Sequence, residues 1–203
     1  MGECPEFARL DLDILGRKDL SYGAKCLYAR LVLFAGESRA WEGTNACLGE
    51  ALGCSDDNAR LCLNELFDVG AVGFDKRSGS RILLVQPFDA SAQFAKLMLN
   101  VLAFPVSKLS FASKCLHGLL LYFGRNGLCF PSQEKLAEGM ACSDRHIRNA
   151  RERLSRAGLV DWRSRGRTSL IYTVHEYPYP RIVPDIGNPE DCSRHEPRIV
   201  PAG

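Results

Sequence analysis

The chain has 203 residues, 46% hydrophobic and 25% charged, and its 26 Lys+Arg against 24 Asp+Glu leave a formal net charge of +2. That is an ordinary globular composition, large enough for one big domain or two small ones, and a charge so near zero gives no sign of a nucleic-acid or membrane partner. No apolar run approaches the roughly 18 residues that span a bilayer, Met1-Gly2-Glu3-Cys4-Pro5 lacks a signal-peptide pattern, and the nine cysteines include no CxxC pair; the expectation is a cytoplasmic protein with reduced thiols and no membrane partner.

In chain order, Phe7 to Leu15 has apolar residues at Leu10, Leu12 and Ile14, a period of two that predicts a short extended segment. A helix over 21–36 follows, apolar on nearly every side and therefore central. A second helix over 44–52 starts behind Thr44, and a third starts behind Ser55 and stops at Gly70. Ala71 to Lys76 and Arg81 to Val85 then flank Arg77-Ser78-Gly79-Ser80 as a β-hairpin.

The series then repeats. Phe7 to Leu15 returns as Phe94 to Leu102, Leu20 to Leu27 as Leu109 to Leu116, Leu48 to Asp56 as Leu136 to Asp144, and Gly70-Ala71-Val72 as Gly158-Leu159-Val160, at offsets between 87 and 89. The second copy predicts an extended segment at 94–102 and helices at 110–124 and 132–140, the latter behind Ser132. A third helix runs from Ser143 to Gly158, and a hairpin of Leu159 to Ser164 and Ser169 to Val174 turns through Arg165-Gly166-Arg167-Thr168. The tail, 176–203, holds six of the ten prolines and reads as extended or disordered, with Pro180-Arg181-Ile182-Val183-Pro184 echoed at Pro197-Arg198-Ile199-Val200-Pro201. Strand, three helices and a hairpin is the order of a winged helix-turn-helix. The expected architecture is α+β, mainly α: two tandem winged helix-turn-helix domains at 1–88 and 89–175, then the tail.

Phe130-Pro131-Ser132-Gln133-Glu134-Lys135-Leu136-Ala137-Glu138, followed by Cys142 to Ala150 and by Leu154-Ser155-Arg156-Ala157-Gly158-Leu159-Val160, is similar to the helix-turn-helix stretch of a bacterial winged helix-turn-helix family. Leu109-Ser110 with Lys114, and Leu97 to Leu102, resemble its lead-in. The likeness covers 94–175 closely and 7–86 more loosely. Two such modules in tandem resemble plasmid and phage replication initiators, which implies a bacterial DNA-binding protein; the same module also serves transcriptional regulators.

The third helix of such a fold lies in the major groove. In copy two its apolar stripe is Ile147, Ala150, Leu154 and Ala157, and the opposite face carries Arg145, Arg148, Asn149, Glu152 and Arg156. Arginine pairs bidentately with guanine and asparagine with adenine. His146, Arg151 and Arg153 flank that face at phosphate-contacting positions, and Arg163, Arg165 and Arg167 project from the hairpin. Ser132, ahead of the second helix, completes the expected set. Residues 143–167 carry a net charge of +5, and about five phosphate contacts would give a salt slope near −4 to −5.

Over the matching residues 55–79 copy one carries −2. It is either a weak second reader, through Arg60, Asn64, Lys76, Arg77 and Arg81, or a dimer or partner-protein surface built on Leu61, Leu63 and Phe67; alternatively Leu61 and Phe67 pack against the other module. Cys142, just ahead of a helix start, could have a lowered thiol pKa. No phosphate loop, zinc-ligand spacing or nucleophile motif appears, so no enzyme activity, metal or cofactor is expected. The functional expectation is a sequence-specific double-stranded DNA-binding protein, a plasmid or phage replication initiator. A transcriptional regulator and a protein-interaction module stand as alternatives.

Overall fold

The computed structural model describes residues 6–75, 82–85, 93–124, 127–165 and 169–176. The chain runs β1 (Phe7–Asp11), α1 (Leu12–Leu15), α2 (Tyr22–Ala35), β2 (Ala40–Glu42), α3 (Asn45–Leu52), α4 (Asp56–Asp68), β3 (Val72–Asp75) and β4 (Ile82–Val85). The order then recurs as β5 (Phe94–Met98), α5 (Leu99–Leu102), α6 (Phe111–Phe123), β6 (Leu128–Cys129), α7 (Gln133–Gly139), α8 (Asp144–Arg156), β7 (Val160–Arg165) and β8 (Ser169–Val174). The mixed α+β architecture, with small sheets beside a mainly helical body, is that of a winged helix-turn-helix protein.

Six helices begin where a Ser or Thr side chain accepts the N–H three residues on: Ser21, Thr44, Ser55, Ser110, Ser132 and Ser143. Each cap of this kind is worth about 1 kcal/mol. α4 and α8 end just before Gly70 (φ 70°) and Gly158 (φ 68°), left-handed positions that glycine adopts without strain. α2 and α6 occupy the centre; every residue from Ala112 to Leu120 is buried, which is why the sequence is apolar nearly all round there.

Two local expectations are corrected. The extended segments stop at Asp11 and Met98, and a single helical turn follows each, α1 and α5. The turns are fixed from outside: Lys25 Nζ donates to the Leu15 carbonyl at 2.8 Å, and Lys114 Nζ to the Leu102 carbonyl at 2.7 Å. Each hairpin also gains a third strand that the sequence pattern does not show, in sheets ordered β2-β4-β3 and β6-β8-β7. The hairpin strands otherwise form as expected, whereas most of both hairpin tips and the Pro-rich tail lie outside the described residues.

β1 and β5 pair antiparallel, joining the two halves. Arg9 lies opposite Lys96, its own counterpart in the repeat, so an approximate two-fold axis passes through that pair. The flanking bonds obey the same symmetry: Leu12 N–H donates to the Gln93 carbonyl and Leu99 N–H to the Glu6 carbonyl, both at 3.0 Å. Along the axis, the equivalent residues Cys26 and Cys115 meet between α2 and α6 with their sulfurs 3.6 Å apart, both buried.

Departures from this symmetry are chemical. Besides Leu102, Lys114 Nζ donates to the carbonyls of Leu52 at 2.7 Å and Phe104 at 2.6 Å, tying the end of α3 to the second half. Burial pushes its ammonium pKa down to about 8, so it remains charged at neutral pH within a cage of three acceptors. The counterpart of the Leu52 carbonyl, that of Met140, instead accepts the Tyr22 hydroxyl at 2.9 Å. Gly53 (φ 63°) sits so close to Phe104 that a Cβ would strike the Phe104 carbonyl oxygen. Its counterpart Ala141 adopts the same left-handed conformation (φ 52°) with its Cβ present.

Candidate nucleic-acid interface

α7, the turn at Met140–Ser143 and α8 form a helix-turn-helix. The turn is closed by Cys142 N–H donating to the Ala137 carbonyl at 2.9 Å, and Ser143 then accepts the His146 N–H to open α8. Ile147, Ala150 and Leu154 face the core. Arg145, His146, Arg148, Asn149, Glu152, Arg153 and Arg156 are exposed. At 100° per residue, Arg145, Arg148, Glu152 and Arg156 form the side opposite the core, with Asn149 at its margin. The face has little internal neutralisation: its one short ion pair among the described residues is Arg156 with Glu152, at 3.9 Å.

Three of the expected contact residues have partners within the chain. Arg151 turns toward the sheet, its guanidinium carbon 4.7 Å from the Trp162 ring centroid and its Nε and Nη1 closed to solvent. Burial raises the phenol pKa of neighbouring Tyr172, and the Arg151 charge offsets part of that rise. Arg151 is thus a cation–π prop between helix and sheet. His146 remains exposed but stacks on Tyr22 of the first half, with centroids 5.5 Å apart. Ser132 is exposed, and its hydroxyl oxygen is engaged by the Lys135 N–H at 3.1 Å.

On β7, Arg163 is exposed and lies across from Ile171, while Arg165 pairs with Ser169 at the end of the ladder. The alternation of a strand puts Asp161 and Arg163 on one face and Trp162 on the other. For Arg165 only the backbone is described, and Arg167 lies outside the described residues, as do Lys76, Arg77 and Arg81 of the first half.

The first half differs at the same positions. Arg60 is exposed but bonded to Asp57 at 3.1 Å, and Asn64 is exposed. Of the three residues expected to form a partner surface, only Leu61 is open, at 54% exposure. Leu63 is 1% exposed and belongs to the core, and Phe67 is half-buried, stacked on Phe74 with centroids 4.3 Å apart. Leu63 joins Ala59, Cys62 and Leu66 in the core because α4 packs on both α2 and α3.

Sequence reasoning missed the cleft of about 590 Å³ that lies between α4 and α8. Its walls are equivalent pairs, Asn58 with His146, Leu61 with Asn149, Cys62 with Ala150 and Glu65 with Arg153, above a floor containing Tyr22 and Phe111. The two-fold axis therefore runs through it. Tyr22 was the available signal: the second copy has Phe111 there, and a tyrosine hydroxyl inside a central helix needs an acceptor.

Burial pushes the Cys142 thiol up, as it does Cys54 at the matching turn, reversing the lowered pKa considered for Cys142. Among the described residues no group of three or more His, Cys, Asp or Glu is placed to hold a metal ion, and no helix is long and apolar enough to cross a membrane.

Residues 118–160 match a family model described as a helix-turn-helix domain. The match takes in the last part of α6, all of α7 and α8, and the first residue of β7, so it falls on the elements that expose the arginine face. It supports DNA binding. No curated protein matches the chain.

Proposed function

We propose that the protein is a sequence-specific double-stranded DNA-binding protein built of two winged-helix modules, 1–88 and 89–175, in which the second module reads the DNA. The observation that carries this reading is the exposed face of α8, where Arg145, Arg148 and Asn149 follow directly on a Ser-capped helix-turn-helix. Side chains of these types supply bidentate contacts to guanine and adenine edges. Arg153 and the β7 arginines Arg163 and Arg165, with Arg167 at the hairpin tip, are assigned to phosphates. With Arg151 turned inward, about four such contacts remain, and log K is expected to fall with log salt at a slope near −3 to −4.

The favoured biological role is initiation of plasmid or phage replication, resting on the sequence resemblance of the tandem modules. Regulation of transcription at an operator uses the same contacts. Arg60 and Asn64 are assigned no more than a weak second reading role, because Asp57 pairs with the Arg60 guanidinium and the acids of α4 repel phosphates.

Selection of bound sites from random duplex DNA tests the reading. One short sequence block per chain is expected, or two identical blocks where two chains bind. Two different blocks one helical turn apart, about 10 base pairs, would assign α4 a reading role. No enrichment over the starting pool would reject sequence-specific binding.

A further inference from the structure

The exposed faces of α4 and α8 are close to electrical complements. α4 carries a net charge of −3, from Asp56, Asp57, Glu65 and Asp68 against Arg60. α8 carries +3, from five arginines against Asp144 and Glu152. Three equivalent positions reverse sign, Asp57 to Arg145, Glu65 to Arg153 and Asp68 to Arg156, whereas Asp56 and Asp144, and Arg60 and Arg148, keep it. Asp57, Asp68, Arg145 and Arg156 are all exposed. Rotation about the two-fold axis leaves height along that axis unchanged, so both faces stand at the same end of the molecule, on either side of the cleft. Glu65 and Arg153 line the cleft, whereas Asp57, Asp68, Arg145 and Arg156 lie outside its walls.

We propose that this end of the molecule docks against the same end of a second copy, α4 of each chain on α8 of the other, and that this association competes with DNA. A two-fold axis perpendicular to the internal one forms both helix contacts at once and closes the pair, so no chain of copies grows. Parallel docking pairs Asp57 with Arg145 and Asp68 with Arg156, and antiparallel docking pairs Asp57 with Arg156, Glu65 with Arg148 and Asp68 with Arg145; Arg60 meets an arginine in either case, Arg148 or Arg153, with Asp57 of its own helix beside it. Leu61, 54% exposed at the cleft mouth, adds apolar area at the centre of the contact. Two short helix pairs bury little area, so the association is weak and salt-sensitive. It covers the Arg145 face, and in a mixture with DNA each ligand displaces the other. The competition rests on the proposed DNA contacts, whereas the self-association does not.

Sedimentation of the full chain at low and high ionic strength tests this, with two charge-reversed variants. Asp57→Arg with Asp68→Arg makes both helices basic, and Arg145→Asp with Arg156→Asp makes both acidic. Wild type is expected to dimerise reversibly at low salt and each variant alone to bind itself at least about tenfold more weakly. An equimolar mixture of the two variants should regain dimers, because each then offers the other a complement. Selected duplex should disperse wild-type dimers. Wild type that stays monomeric at about 100 µM and low salt, variants that dimerise as tightly as wild type, or a mixture that fails to recover would overturn the proposal. The Asp57→Arg, Asp68→Arg variant keeps α8 intact, so its binding to selected duplex reports on the DNA reading separately. Dimers that persist with saturating duplex bound would remove the competition.

Discussion

Arg148 and Arg151 stand three residues apart on α8 in different surroundings. Arg148 is exposed on the side away from the core, whereas Arg151 lies over Trp162 with its inner nitrogens closed to solvent. Arg148→Ala is expected to weaken specific DNA binding by about 1–3 kcal/mol and leave the melting temperature unchanged. Arg151→Ala is expected to lower stability by roughly 1 kcal/mol through lost cation–π packing, with intact domains retaining DNA affinity. Paired melts and titrations separate the two. A second residue-scale case is His117, whose Nε2–H donates to the His175 carbonyl at 2.8 Å while Nδ1 is buried without a partner among the described residues. Burial drives its pKa from 6.5 down to about 4. A folded-state pKa below the unfolded one means that stability is fully present above pH 6.5 and is lost as pH falls toward 4. The loss from this ring reaches about 3 kcal/mol, and His117→Gln should flatten that arm of the urea-midpoint profile between pH 7 and pH 4.5. An unchanged slope in the variant would show that the acid lability lies elsewhere.

At the scale of elements, the two helix-turn-helix turns solve one geometric problem with different residues. Gly53 has a left-handed backbone and no room for a Cβ against Phe104, while Ala141 holds a left-handed backbone with its Cβ in place. Gly53→Ala should therefore destabilise by more than the usual Gly/Ala difference, about 2 kcal/mol, whereas Ala141→Gly should be neutral or stabilising by about 0.5 kcal/mol in denaturant titrations. Helices of this chain were legible because their signals are local: Ser or Thr caps, i/i+3/i+7 apolar stripes, and Gly70 and Gly158 at the ends. The outer face of α8 was legible for the same reason. β2 and β6 were not, since three- and two-residue strands exist only through pairing with β4 and β8, more than 40 residues on. The surroundings of Arg151 and Leu63 were not legible because helical angle alone does not say which neighbour covers a helix's flank. Trp162 covers the first, and packing of α4 on both α2 and α3 buries the second.

Taken whole, the molecule is two halves related by an approximate two-fold axis with opposite charges on equivalent helices, which is why the net charge of +2 conceals both. The halves are joined by the β1–β5 pair, by Tyr22 bonded to the Met140 carbonyl, and by Lys114 bonded across to the Leu52 carbonyl. Lys114→Met removes the donor for three carbonyls and should destabilise the whole chain by about 3 kcal/mol, in one cooperative transition because the halves share a core. Two transitions, with one half unchanged, would show the halves to be energetically independent. None of this long-range joining was legible in the sequence, although the repeat itself located the equivalent residues. The central claim is that α8 reads DNA and α4 does not. Its most direct test is the affinity of two double variants for a duplex selected by the wild-type chain. Arg145→Ala with Asn149→Ala is expected to lose about 2–6 kcal/mol, at least thirtyfold, with a smaller loss on random duplex. Arg60→Ala with Asn64→Ala is expected to bind as wild type does. The reverse pattern, or unchanged specific binding by the α8 variant, would contradict it.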